Sequence, residues 1–514
     1  MNGYREAEKE CSLFSRTRSP LETKYMNQFD YDIGIIGGGS AGLTVAAGAA
    51  QFGAKTVLIE REPRLGGDCL HYGCVPSKTL IKASRVYHVM KQGPQFGLPS
   101  VDPGPVDFAL IRKHIERVIA DIQPHDSPER FCKLGAAVEF GSATFVDDHV
   151  VDTGEKRISA KHWVVASGSS PAIPPIPGLN EVGYLTNKDI FYLDHLPKSL
   201  VILGAGPIAV EMGQAFCRLG SKVTMIQRSA QILSREDRDM AILVCERLRQ
   251  DGVDIVLEAK VESVENGPQG RVVHVILPGG EKRSIQTESI LVALGRAANI
   301  HDMGLENAGV ETTSHGIVVN NRMRTSSKHI YACGDVTGAY QFTHAAGYEG
   351  GVALTNIIFK LPRKVDYTRL PWCTYSEPEL ASIGVNELRA KQAGLEYAVW
   401  TEPFSGNDRA RAEGETEGFI KMLVDKKEKP IGVQIVGAHA GDLLSEWVAV
   451  MGGKVSLSTL AGAVHPYPTW AEINKRVAGN LLSRKIFSDT VKKGLKFVFS
   501  LKGRACIAPE ETSE

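Results

Sequence analysis

Cys69 and Cys74 stand in the stretch Gly-Gly-Asp-Cys-Leu-His-Tyr-Gly-Cys-Val-Pro-Ser-Lys, residues 66–78. A thioredoxin-type pair has two residues between its thiols, and zinc sites usually draw on two such pairs. Here there is one pair at a wider spacing, shortly after a glycine-rich turn, with Gly-Gly before it and Val-Pro-Ser-Lys after it. That pattern points to a redox-active disulfide beside a bound nucleotide, and to no resident metal. Cys74 lies near a helix start, where the dipole lowers a thiol's pKa. On one regular helix the two side chains would be about 140° apart. The helix must therefore be irregular near its first turn for the sulfurs to meet, in keeping with the Gly-Gly before it.

The elements around the pair are those of a nucleotide-binding α/β protein. Residues 31–36 read as an apolar strand, and Gly-Gly-Gly-Ser-Ala-Gly follows at 37–42. An Ala-rich helix comes next, then the strand 55–60 ending in Glu60. Strand, glycine turn, helix and acid-ended strand form a dinucleotide fingerprint, with Gly37, Gly39 and Gly42 at the turn. The pattern recurs at 200–226 with Gly204, Gly206 and Ala209, a small residue serving close helix–strand packing. Pro207 suits the first helical position, where its missing N–H costs nothing. Two such units imply two dinucleotides. Residues 171–178 read as a Pro-rich linker, and the composition changes from about residue 366.

Bulk properties narrow the class. A chain of 514 residues should hold about three domains. Lys plus Arg and Asp plus Glu balance at 59 each, which does not suggest nucleic acid or an anionic membrane as the main partner. Nine scattered cysteines do not resemble a secreted disulfide framework, and Cys132, Cys217, Cys245 and Cys333 read as small buried hydrophobes. No apolar run is long enough for a transmembrane helix, and residues 1–29 lack a secretory h-region. A flexible leader and a cytoplasmic location are the expectation. The tail from 483 is basic and partly amphipathic. A docked or solvated tail is favoured over a membrane-surface helix, because one short basic stretch anchors weakly.

With these motifs in order, the chain resembles the flavoprotein pyridine nucleotide-disulfide oxidoreductases, which include lipoamide dehydrogenase, glutathione reductase and mercuric reductase. The resemblance covers about residues 30–482. It rests on Gly-Gly-Gly-Ser-Ala-Gly, the double-cysteine segment, Gly-Ala-Gly-Pro-Ile-Ala-Val-Glu, Val-Ala-Leu-Gly-Arg and Cys-Gly-Asp-Val-Thr-Gly. It implies an FAD domain from 30–170 and 296–365, an NAD(P) domain from 171–295, an α+β dimerisation domain from 366–482 and a tail from 483–514. A homodimer follows, each active site being completed by the partner subunit. The FAD pyrophosphate would lie on the turn Gly37, Gly39, Ser40, Ala41 and Gly42, with Glu60 on the adenosine ribose. Gly141 matches the adenine-side loop, Ser167 and Gly168 the family's Ala-Thr-Gly turn, and Asp335 the aspartate on the ribityl chain. Gly295 falls in the Val-Ala-Leu-Gly-Arg motif beside the second nucleotide. Lys78 and Glu211 would pair beside the flavin, Cys74 would face it as the thiolate, and Cys69 would be the outer thiol. Gln227 and Arg228 end the strand after the second turn. No acid there repels a 2′-phosphate and Arg228 can pair with one, so NADPH is favoured over NADH.

Residues 464–472, Val-His-Pro-Tyr-Pro-Thr-Trp-Ala-Glu, bear on the substrate. Disulfide reductases of the family carry His-Pro-Thr-x-x-Glu, with the His as acid–base and the Glu holding it. In this register Pro468, Thr469 and Glu472 match, and Tyr467 replaces the His. Tyr titrates near pH 10 and is a poor base at neutral pH. Mercuric reductases are similar in having Tyr here, which favours a thiol-bound metal ion such as Hg(II) as substrate. Two departures stand against it: mercuric reductases end in a vicinal cysteine pair, whereas this tail has Cys506 alone, and they often carry a paired-cysteine leader, whereas this one has only Cys11. The alternative is a dihydrolipoamide dehydrogenase or other disulfide reductase using His465 as base. A non-catalytic flavoprotein sensor would require all these motifs without turnover.

Overall fold

The computed structural model describes residues 29–503, apart from Gln269 and Lys454. Cys11 and Cys506 lie outside the described residues. The chain forms two compact units. One runs up to Ser234 and takes in Cys245–Tyr367, and the other comprises Arg235–Val244 and the chain from Thr368 onward.

The first unit contains two parallel sheets. In one, Tyr31–Ile36 lies between Thr56–Glu60 and Arg157–Val165, all parallel, with Ala136–Phe140 and Ile330–Ala332 on the two flanks. Thr56–Glu60 is buried along its whole length, as expected of a parallel strand covered on both faces. Gly34 admits the Trp163 ring, since a Cβ there would lie 2.3 Å from it. The Ala-rich helix Ser40–Gln51 packs on Thr343–Ile358. They approach so closely that a Cβ on Gly48 would lie 2.3 Å from Leu354. Small residues on the first helix thus bring the start of the second, Thr343, to the first glycine turn. The other sheet runs Asp254–Val256, Lys222–Ile226, Ser199–Leu203, Ser289–Val292, all parallel, with the helix Pro207–Leu219 after its glycine turn. A two-stranded ribbon, Ser169–Pro171 antiparallel to Arg296–Ala298, carries the chain out of the first sheet's domain and back.

The second unit is built on a five-stranded antiparallel sheet ordered Pro371–Thr374, Glu379–Gly384, Pro430–Gly437, Phe419–Val424, Ala398–Pro403. Ala440–Met451 and Glu472–Ile486 supply Leu443, Trp447, Ile473 and Val477 to its core. The segment Arg235–Val244 is bonded into this unit. Glu236 accepts from Trp372 Nε1 at 2.6 Å, Ser382 at 2.9 Å and Gln434 at 2.8 Å. Lys421, almost fully buried, meets Asp237 at 3.2 Å and Glu387 at 3.0 Å, the carboxylate pairing that a buried cation requires.

The fold is α/β in the first unit, with an antiparallel sheet over residues 260–287 and an antiparallel extension at residues 144–152, and α+β in the second. Among the described residues no helix is long and apolar enough to cross a membrane. Cys333 and Cys245 are buried as expected, whereas Cys132 is disulfide-bonded instead of being a free packed thiol.

Candidate active site

The irregularity required by the cysteine spacing is present, but it falls between the thiols. Cys69 belongs to the short helix Gly67–His71, and Cys74 opens a separate helix, Cys74–Met90. The break is at Tyr72 and Gly73, whose backbone (φ −136° and −129°) leaves the helical region. The Gly-Gly before the pair serves a different need. Gly66 and Gly67 have φ of 113° and 58°, and a Cβ on Gly67 would lie 2.8 Å from Gly39, so the redox segment rests on the first glycine turn.

Both cysteines are free thiols, and the Cys69 thiol is hydrogen-bonded to the Cys74 sulfur. That bond, with help from the Thr343 hydroxyl and the Lys78 charge, outweighs burial and Asp68 and lowers Cys74 to about 6. Thr343 Oγ1 is 3.2 Å from Cys74 Sγ. The bond of Cys69 to Cys74, with burial, pushes the Cys69 thiol far up. One thiolate and one thiol at neutral pH is the division that exchange chemistry uses.

Lys78 lies one turn into the same helix, and its Nζ donates to Glu211 Oε2 at 2.7 Å. Glu211 is buried on the helix Pro207–Leu219, so this pair bridges the two dinucleotide motifs within the first unit.

The segment is also held from the other side. Asp68, directly before Cys69, accepts from Asn187 Nδ2 at 2.9 Å and meets Arg296 Nη2 at 3.3 Å. Arg296 Nε donates to Ser169 Oγ at 2.7 Å, and Ser169 Oγ donates to Asp335 Oδ2 at 2.5 Å. Burial holds Asp335 above the usual carboxylate range, against the pull of Ser169 and Arg296. A continuous chain thus runs from the Asp335 carboxylate to the redox helix. The antiparallel ribbon creates it by placing Arg296 beside Ser169. Arg296 and Asn187 were not identified from the sequence, although Arg296 is the last residue of a motif already noted. Thr343 and the buried Glu349 were also missed. Burial raises Glu349 to about 7, and its carboxylate accepts from Tyr367 and from the Gly334 amide at 2.7 Å each.

The glycine turns fit dinucleotides. Gly39 and Gly206 have φ of −86° and −78°, conformations open to any residue. What a side chain would occupy there is open space, since the nearest atom to a Cβ is 3.9 Å away at Gly39 and none lies within 4 Å at Gly206. Neither helix carries a side-chain cap or an acid in its first turn, so the initial amides face an anion site of pyrophosphate type. Gly42 excludes any Cβ, which would lie 1.9 Å from Gly37 O, whereas Ala209 holds its methyl fully buried. Ser40 Oγ donates to Thr343 O at 3.0 Å, and Ala41 is buried. Glu60 ends its strand with Oε2 accepting from Gly38 N and Oε1 from Glu62 N, and Gly141 N donates to Glu60 O at 2.9 Å. Ser167 and Gly168 are tied to Asn299, and Gly295 accepts from Ala172 N at 2.9 Å. Gln227 Nε2 donates to Ser229 at 2.7 Å, and the exposed Arg228 guanidinium has no ion-pair partner among the described residues.

In the second unit, residues 464–472 do not converge. Glu472 begins the helix Glu472–Ile486 and accepts only a long 3.5 Å bond from Thr469 N. Tyr467 is 70% exposed and donates to Asp408 at 3.0 Å, which raises its pKa further. His465 turns away to Glu446, Nε2 to Oε1 at 3.0 Å, and its buried Nδ1 has no hydrogen-bond partner among the described residues. His465, the alternative base, thus pairs with a carboxylate of the helix Ala440–Met451.

Residues 31–350 match the family model described as pyridine nucleotide-disulphide oxidoreductase, and residues 370–478 match the dimerisation domain of that family. A mercuric reductase of Lysinibacillus sphaericus is 34% identical over 469 residues, 91% of this chain and 85% of its own. A dihydrolipoyl dehydrogenase of Geobacillus stearothermophilus is 34% identical over 86% of this chain and 94% of its own. The solved HOCl-induced flavoprotein disulfide reductase RclA of Escherichia coli superposes with a TM-score of 0.78 at 28% identity, covering 87% of this chain and 99% of that one, and it has also been solved as a Cu(II) complex. Two dinucleotide turns, a thiol–thiolate pair beside them and these likenesses agree: the chain belongs to the FAD- and NAD(P)H-dependent pyridine nucleotide-disulphide oxidoreductases and carries their dimerisation domain, which fits a homodimer.

Proposed function

We propose that the chain is an FAD-dependent, NADPH-preferring reductase that passes electrons through Cys69 and Cys74 to a thiol-bound metal ion such as Hg(II). The observation that carries the metal reading is Glu472: the carboxylate that would orient a thiol base has no imidazole on it, and the residue at the base position is Tyr467, bound to Asp408. In a metal bis-thiolate the metal passes from one of its thiolates to the Cys69 sulfur, and the displaced thiolate carries off the Cys69 proton, so no separate base is needed; soft thiolates select soft ions. Relatives named mercuric reductase and a neighbour solved with Cu(II) support the same substrate class.

FAD held on the turn 37–42 and by Glu60 would supply two-electron transfer between the nicotinamide and the cysteine pair. The other steps belong to the chain. Lys78, held by Glu211, keeps a positive charge beside Cys74 and stabilises its thiolate. Cys69 keeps the proton and acts as the outer sulfur that first meets the substrate. Arg228 supplies the charge for the 2′-phosphate on the adenosine ribose of NADPH. The Arg296–Asp68 contact fixes the short helix that carries Cys69.

His465 favours a second reading. A histidine against a carboxylate, with its other nitrogen unbonded, is a base in waiting, and it would suit lipoamide or another disulfide. NADPH oxidation measured with Hg(II) in excess thiol, and separately with lipoamide, decides between them. The metal reading expects Hg(II) turnover that survives His465→Ala. Turnover with lipoamide alone, lost in His465→Ala, would replace it with the disulfide reading. Bound FAD and a reducible cysteine pair without turnover on either would support a sensor.

A further inference from the structure

The tail expected to be docked or solvated forms a helix, Asp489–Phe499, in which no residue is buried. At ~100° per residue, Val491, Leu495, Val498 and Phe499 fall within an arc of about 100°. Lys492, Lys496 and Lys493 occupy the adjoining arc of about the same width. All seven are exposed. Phe487, just before the helix, is 65% exposed and Phe499 is also 65% exposed, at positions where large apolar side chains normally find cover. An eleven-residue helix is marginal alone in water, because nucleation is costly and its stability comes from covering an apolar face. Nothing in the described chain covers this one.

The charge pattern indicates what does. The whole molecule is balanced at 59 against 59, yet residues 487–503 hold Lys492, Lys493, Lys496 and Lys502 against the single acid Asp489. An apolar stripe flanked by an arc that is net positive, three lysines to Asp489, suits a plane that is apolar below and anionic above. A second copy of the chain is the other occupant to weigh. The match to the dimerisation domain ends at residue 478, before this helix begins, and a facing copy would set lysine against lysine.

We propose that Asp489–Phe499 is an interfacial helix that lays its apolar stripe into the surface of a bilayer rich in anionic phospholipid, with the lysines at headgroup level. One such helix binds weakly. A dimer presents two, and the second binds as an intramolecular event, so the assembled enzyme holds the surface where a single tail does not. The reductase would then work at the membrane face without spanning it.

The test is co-sedimentation of the full-length, FAD-loaded enzyme with vesicles of phosphatidylcholine alone or mixed with phosphatidylglycerol. At least about tenfold more enzyme should pellet with the anionic vesicles, and high salt should release it. The paired changes Lys492→Glu with Lys496→Glu, and Leu495→Ser with Phe499→Ser, should each lower binding about tenfold while NADPH oxidation and FAD content stay unchanged. Phe499→Trp should shift its emission to the blue when anionic vesicles are added. Enzyme that stays in the supernatant, or charge-reversed enzyme that pellets equally well, would overturn the proposal. So would light scattering that shows Leu495→Ser with Phe499→Ser splitting the dimer, since the stripe would then belong to the second copy.

Discussion

The segment 66–78 and the segment 464–472 are both short and both central to the family's chemistry, yet they differ in how completely they are prepared. Around Cys69 and Cys74 every neighbour has a part. Thr343 and Lys78 favour the thiolate, Glu211 holds Lys78, and Asp68 ties the short helix to Arg296. Around Glu472 the parts are dispersed, with Tyr467 on Asp408 and His465 on Glu446. The cysteine segment is tied on every side, whereas the side chains of 464–472 each find a different partner. Substrate identity in such a chain is decided where electrons leave.

The contrast can be broken at its strong end. Cys74→Ser should abolish reduction of metal and disulfide alike, by at least about 10³-fold, with FAD still bound, because the thiolate is the reacting group. Residual turnover of a metal ion would show that the pair is dispensable. Lys78→Met should cut turnover by roughly ten- to a hundredfold, since it removes a charge favouring the Cys74 thiolate and breaks the ion pair with the buried Glu211. Iodoacetamide alkylation of the reduced enzyme reads the same residue. In the native chain Cys74 ionises near 6, so the thiolate is present above that pH and reactivity falls as pH drops through it. In Lys78→Met the inflection should move up. Arg228→Ala should raise the KM for NADPH about thirtyfold and leave NADH unchanged, as loss of one charge-assisted phosphate contact predicts. An equal effect on both would make Arg228 a solvated surface cation. The smallest effect is expected from Asp68→Asn. Its charge raises Cys74, so the alkylation inflection should move slightly below the native value. A move upward would mean that the tie to Arg296, not the charge, sets the thiolate.

Much of this was legible in the chain because the requirements are local. Gly37, Gly39 and Gly42 are demanded by a turn of six residues, and the need for a broken helix between Cys69 and Cys74 follows from helix pitch alone. Even there the location was misjudged. The pitch says that a break is needed, while Tyr72 and Gly73, and not the preceding Gly-Gly, supply it. The pairing of Lys78 with Glu211 was implied by resemblance, and the 2.7 Å contact bears it out. What stayed hidden joined distant segments. Ser169, Arg296 and Asp335 are brought together by a two-stranded ribbon with no pattern of its own, and Asn187 reaches Asp68 from a loop.

By itself the sequence determined the class of the molecule, because two glycine turns and a cysteine pair at fixed spacing specify backbone geometry within a few residues. Only the tertiary structure decided which carboxylates Arg296, Tyr467 and His465 meet. Hydrogen bonds and ion pairs act over about 3 Å, and residues seven positions apart in sequence need not come that close. His465 chose Glu446 over Glu472 because a neighbouring helix placed it nearer, and no reading of residues 464–472 alone contains that distance.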